Sequence, residues 1–118
     1  MEIGIGLLGC GTVGQAVVQL LQEKGADYAR RTESHLSLEK VLVKTPSKPR
    51  PGLSPEQLTT DPDDILDNPD IQVVIEVMGG AEASREYLLK ALHAGKHVVT
   101  ANKELMAKHG AELFDAAT

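Results

Sequence analysis

The sequence predicts an α/β domain, a doubly wound parallel sheet covered by helices on both faces. Three observations point there. Near-continuous apolar runs recur at Ile3–Leu8, Val41–Val43 and Ile71–Met78, as expected of strands buried on both faces. Between them lie stretches with helical spacing, Val13, Val17, Leu20 and Leu21 in one and Leu88, Ala91 and Leu92 in another, so strand and helix alternate. The first run also passes directly into a glycine-rich turn, Gly9-Cys10-Gly11-Thr12-Val13-Gly14.

In chain order, Ile3–Leu8 is the first strand, and the helix after the glycine turn is expected to stop at Gly25, with residues 26–34 a polar loop. Leu36–Val43 reads as the second strand, alternating in its first half and apolar at its end. Pro46, Pro49, Pro51 and Gly52 break the chain into a loop, because proline has no N–H to give and glycine favours turns. Ser54 followed by Pro55 and Glu56 offers a helix start, with proline at the first position and an acid in the first turn. A short third strand is expected at Leu58–Thr60 and a turn or two of helix at Asp61–Asn68, closed by Pro69. Ile71–Met78 is the fourth strand, Ala81–Ala94 a helix ended by Gly95, His97–Thr100 the fifth strand and Asn102–Ala117 the last helix. The sixth strand that usually completes this architecture is missing, so residues 1–118 are expected to be one domain of a longer protein.

Composition narrows the function. At 118 residues with 42% hydrophobic and 25% charged side chains, the chain suits one ordinary globular domain. One cysteine and four histidines argue against a disulfide framework or a metal site. Apolar runs stay far short of the ~20 residues of a membrane span, and a cytoplasmic location without membrane contact is expected. Net charge is −5 and aromatics number three, which disfavours a nucleic-acid partner, since such domains are basic and often stack bases on aromatic rings. Residues 1–50 nevertheless hold seven Lys/Arg against five Asp/Glu, with Lys40, Lys44, Lys48 and Arg50 close together.

The glycine turn is the first candidate site. Between a predicted strand and a predicted helix, Gly9 permits the tight turn, Gly11 lets the backbone approach a pyrophosphate, and Gly14 lets the helix pack close to the sheet. The free N–H groups at Thr12 and Val13 would face the anion, which the helix dipole favours. A ligand-free turn is the competing reading, and the strand–helix context disfavours it. An acid usually holds the ribose 2′-hydroxyl at the end of the second strand. Here that end is Lys44-Thr45-Pro46-Ser47-Lys48-Pro49-Arg50. Three cations and two hydroxyls suit a 2′-phosphate better than a bare hydroxyl, so NADP(H) is the preferred cofactor, with NAD(H) second. A solvated basic loop is the alternative.

Two more loops leave the same end of the predicted sheet. Gly79-Gly80 lets the backbone pass close to a ribose or nicotinamide, or is a plain turn. Thr100-Ala101-Asn102-Lys103 starts the last helix with Asn102 as cap and Glu104 in the first turn, both favourable. Lys103 is then at the first helical position, where the dipole disfavours a cation. A broken local rule at the ligand edge suggests function, here a polar anchor or proton-transfer group. An exposed lysine destabilised by a few tenths of a kcal/mol is the simpler account of that residue alone. Glu76, inside an apolar strand, needs a buried partner such as a backbone N–H.

These segments together resemble the N-terminal cofactor domain of homoserine dehydrogenase. The likeness lies in GLLGCGTVG, VKTPSKPRP, VVIEVMGG and ALHAGKHVVTANKELMA and covers essentially the whole chain. The glucose-fructose oxidoreductase family shares the Ala-Gly-Lys-His-Val stretch but continues with Glu-Lys-Pro, whereas Lys103 is followed here by Glu104. A nucleotide-sensing regulatory domain is a further alternative, against which Lys44 and Lys103 both count. The resemblance implies a nicotinamide-dependent enzyme interconverting L-homoserine and L-aspartate 4-semialdehyde in threonine, methionine and isoleucine synthesis. It also implies that Thr12 and Val13 contact the cofactor and that Lys103 lies beside the nicotinamide and the substrate. The family's usual Arg-Asp after the second strand is Lys44-Thr45 here. Its second active-site lysine, substrate carboxylates and sodium site fall after residue 118, so the chain alone is expected to be catalytically silent and the parent enzyme a homo-oligomer.

Cofactor-binding candidates are therefore Gly9, Gly11, Thr12, Val13, Gly14, Lys44, Lys48, Arg50, Gly79, Gly80, Thr100, Asn102 and Lys103. Lys103 is the single catalytic candidate.

Overall fold

The computed structural model describes residues 2–48, 50–79 and 81–118. Within them five strands, β1 (Glu2–Leu8), β2 (His35–Leu42), β3 (Leu58–Thr59), β4 (Val73–Glu76) and β5 (His97–Thr100), form one sheet. All its pairings are parallel and its order is β3-β2-β1-β4-β5. Helices α1 (Thr12–Thr32), α2 (Asp63–Leu66) and α3 (Glu82–His93) each connect two of the strands, and α4 (Lys103–Ala117) follows β5. The doubly wound sheet is as expected.

β1 lies at the centre and its sequence shows why. Leu7 packs with Val18 and Val41 beneath α1. Leu8, pointing the other way, packs with Ile65, Leu66, Val74, Leu88 and Leu105 beneath α2, α3 and α4. Successive strand residues alternate faces, so two adjacent leucines anchor two separate cores. The two glycines earlier in β1 make room for neighbours. A Cβ on Gly4 would fall 1.8 Å from the Asp70 carbonyl oxygen, and one on Gly6 2.5 Å from Ile65 Cγ2.

Two expectations need correction. Gly25 does not end α1, which runs on to Thr32 and stops at Glu33, a left-handed residue with φ 58° whose N–H donates to the Ala29 carbonyl. Residues 26–32 are therefore helix rather than polar loop. An interior glycine costs only about 1 kcal/mol relative to alanine. The following residues favour continuation, with an Asp27–Arg30 ion pair and two arginines in the last turn, where the dipole welcomes them. The start at Ser54 yields a single 3-10 turn, Pro55–Gln57, rather than an α-helix. Gln57 reaches across from it to donate to the Leu38 carbonyl at 2.8 Å, tying the turn to β2.

β5 has the expected ends, and the remaining elements differ by no more than two residues at theirs. The ladder continues past β4 on both sides, through Gln72 N–H to the Gly4 carbonyl and Val77 N–H to the Leu8 carbonyl. Gly95, at φ 83°, follows α3 as expected. No described helix is long and apolar enough to cross a membrane.

Candidate functional site

Strand pairing brings Leu42, Leu8, Glu76 and Thr100 into one row across four strands. The loops that leave these residues open at the carboxyl edge of the sheet. Chain direction across the sheet reverses at β1, between β2 and β4, which is where open parallel sheets bind ligands.

Each glycine of the first turn meets a different constraint. Gly9 has φ 100° and lies against the exit of β4, so that a Cβ there would be 3.0 Å from Met78 Cγ and 3.2 Å from Met78 Cα. Its N–H donates to the Leu42 carbonyl at 3.1 Å. Gly14 is buried under the turn. Gly11 faces open space, with no atom of the described residues within 4 Å of where its Cβ would be. As the residue before α1, Gly11 has no side chain to cap it, and the first turn carries no acid. The opening N–H groups of a helix have no partner within the helix, so the 21-residue α1 offers them and its dipole to an anion. The start of α4, in contrast, is closed by Asn102, whose Oδ1 accepts from the Leu105 N–H at 3.0 Å.

Two clefts flank this turn. The larger, about 530 Å³, is lined by Gly9, Gly11, Lys44, Thr60, Gly79 and Tyr87 among others. The smaller, about 200 Å³, is lined by Val13, Glu76, Val77, Gly79, Ala101 and Asn102. Val77 and Gly79 border both. Their size and the anion-ready helix start fit an extended dinucleotide better than a compact ligand.

The structure sorts the sequence candidates. Gly9, Gly11, Lys44 and Gly79 line the larger cleft, and Val13, Gly79 and Asn102 the smaller. Thr12 is exposed at the first residue of α1. Lys48 is exposed on the proline-rich loop and lines neither cleft. Arg50 donates to the carbonyls of Thr45 and Lys48 at 2.8 and 2.9 Å, so this cation braces the loop it belongs to. Lys103 is exposed at the first residue of α4, one position beyond the Asn102 that borders the smaller cleft. Gly80 lies outside the described residues.

Glu76 is fully buried. One carboxyl oxygen accepts from the Met78 N–H at 2.8 Å, the backbone partner expected for it, and the other from the Thr100 hydroxyl at 2.6 Å. Thr100 Oγ1 in turn accepts from the Asn102 N–H at 3.0 Å. Sequence reasoning missed the Thr100 partnership, and it missed Thr60 and Tyr87 in the larger cleft. Nothing local marks these residues, because only the parallel register and the return of α3 over the sheet bring them to the site.

A doubly wound sheet with a glycine-turned, uncapped helix start at its reversal point defines a dinucleotide-binding domain of the Rossmann type. The family model for homoserine dehydrogenase, NAD binding domain, matches residues 9–118, and the chain belongs to this family. The chain is 50% identical over 115 residues to the homoserine dehydrogenase of Corynebacterium glutamicum, a match covering 98% of this chain and 26% of that protein. To the enzyme of Bacillus subtilis it is 47% identical over 116 residues, 98% of this chain and 27% of the relative. The crystal structure of a homoserine dehydrogenase from Thiobacillus denitrificans superposes with a TM-score of 0.91 at 40% identity, covering 99% of this chain and 27% of that one. The chain thus spans about a quarter of the length of these relatives.

Proposed function

We propose that this chain binds a nicotinamide dinucleotide along the carboxyl edge of its sheet and serves as the cofactor domain of a homoserine dehydrogenase, interconverting L-homoserine and L-aspartate 4-semialdehyde. The observation that carries the reading is the uncapped start of α1 at Gly11, open to solvent between two clefts that share Gly79.

In this reading the first N–H groups of α1, at Thr12 and Val13, hold the pyrophosphate. Lys44, in the larger cleft, faces the ribose of the adenosine half and favours NADP(H) over NAD(H). The nicotinamide half then occupies the smaller cleft, between Val13, Gly79 and Asn102. When bound, the nicotinamide supplies the two-electron acceptor or donor. Lys103, next to that cleft, holds the substrate oxygen that is a hydroxyl in homoserine and a carbonyl in the semialdehyde, or passes it a proton.

Calorimetric titration of the chain with NADPH and with NADH tests the first step. Saturable binding of both is expected. Absence of binding of either at about 1 mM, the weak end of specific recognition, would overturn the reading.

A further inference from the structure

We propose that Glu76 is a positioning residue that locks together the two loops bounding the nicotinamide half of the site. Its partners are what single it out. Both carboxyl oxygens are engaged, one by the Met78 N–H on the loop after β4 and the other by the Thr100 hydroxyl at the end of β5. The chain of bonds continues from Thr100 Oγ1 to the Asn102 N–H, and Asn102 both caps α4 and reaches Ser84 of α3 at 3.4 Å. A single buried acid therefore sets the separation between Gly79 and the start of α4, the two walls of the smaller cleft that it also lines.

The sheet explains why an acid stands there. Glu76 and Thr100 are register partners on adjacent parallel strands, so their side chains emerge side by side. A carboxyl group can accept from both a backbone N–H and a hydroxyl. Glutamine in its place can accept through one atom only, and its amide would turn a donor toward Thr100, whose own proton then loses its acceptor. An apolar residue would leave the Met78 N–H without this partner. Partly satisfied buried networks are costly and mobile, and here that mobility would fall on the nicotinamide half of the site and spare the adenosine half.

The inference rests on the dinucleotide reading for its ligand, and one experiment separates the two. Glu76→Gln, Thr100→Val and Thr100→Ser variants of the whole chain are titrated with NADPH and with ADP, and Asn102 amide exchange is followed by NMR. Wild-type chain that binds neither NADPH nor ADP defeats the dinucleotide reading, whatever the variants do. The lock predicts that Thr100→Val and Glu76→Gln weaken NADPH about 10-fold, the scale of one buried polar group left without its partner. Affinity for ADP, which lacks the nicotinamide half, should stay unchanged. Thr100→Ser should restore NADPH binding, and the Asn102 amide should exchange faster only in the other two variants. A general loss of fold would weaken both ligands alike. If Glu76→Gln fails to fold, Thr100→Val decides, because that side chain is only half-buried. A folded Thr100→Val chain with unchanged NADPH affinity, or with unchanged Asn102 exchange, overturns the lock. Equal loss of NADPH and ADP does so as well.

Discussion

A methyl group on Gly14 would lie 2.7 Å from the carbonyl oxygen of Gly9, so the first turn of α1 rests directly on the backbone that precedes it. Two glycines of one turn therefore answer to different masters, Gly14 to packing and Gly11 to a space that no atom of the described residues enters within 4 Å. Gly14→Ala should lower stability by about 1–3 kcal/mol, the usual range for overpacking, with nucleotide affinity falling as well. Gly11→Ala should leave stability within about 0.5 kcal/mol yet weaken NADPH binding at least as much as the Gly14 variant does. Chemical denaturation and calorimetry on the two variants decide this, and a Gly11→Ala chain with wild-type affinity would remove Gly11 from the site.

Lys44 is the cation of the basic loop that reaches the larger cleft, while Arg50 is occupied by loop carbonyls. One partly exposed charge contact is worth about 1 kcal/mol, so NADPH should bind roughly 5-fold tighter than NADH. Lys44→Ala should abolish the difference, and raising the salt should shrink it in the unmodified chain. Equal affinities before mutation, or a preference that survives Lys44→Ala, would assign the discrimination elsewhere.

Lys103 is exposed beside the cleft wall formed by Ala101 and Asn102. In a homoserine dehydrogenase carrying this domain, Lys103→Ala should lower kcat by about 10²-fold, the scale of a lost proton donor or positioning group. Steady-state kinetics at saturating cofactor measure it. Wild-type turnover would leave Lys103 an ordinary surface lysine.

Arg85 and Glu112 join α3 to α4 through two hydrogen bonds of 2.6 and 2.7 Å. The Arg85 guanidinium holds the Glu112 carboxyl below its ordinary value, chiefly through the hydrogen bond. A carboxyl group depressed on folding stabilises the fold above its unfolded-state pKa, and that contribution is lost as pH falls through the folded value. Glu112→Gln should therefore lower the denaturation midpoint at neutral pH, and the difference between the two chains should shrink as pH falls through the folded-state value and the carboxyl is protonated. Because both groups are partly exposed, the neutral-pH difference should shrink with added salt. A difference that is independent of pH would mean that lost packing, and not charge, is responsible.

Local chemistry made much of this protein legible before its structure. The glycine spacing at Gly9, Gly11 and Gly14, the Asn102 cap and the paired apolar strands are rules of one strand, one turn or one helix end. They led to a doubly wound sheet and to Gly9, Gly11, Val13, Lys44, Gly79 and Asn102 among the residues that line its clefts. Local rules failed where neighbours decided. Gly25 reads as a stop, yet Ala26, Ala29, Arg30 and Arg31 favour helix and α1 runs past it to Thr32. Arg50 reads as a phosphate ligand, yet the folded loop offers it two carbonyls first. Glu76 announced its need for a partner, and its nearest one, the Met78 N–H, is local. Its second, Thr100, stands 24 residues away and becomes a neighbour only because β4 and β5 pair in parallel with Glu76 opposite Thr100. Register between strands is set by how whole helices pack on the sheet, so no single segment of the sequence encodes it.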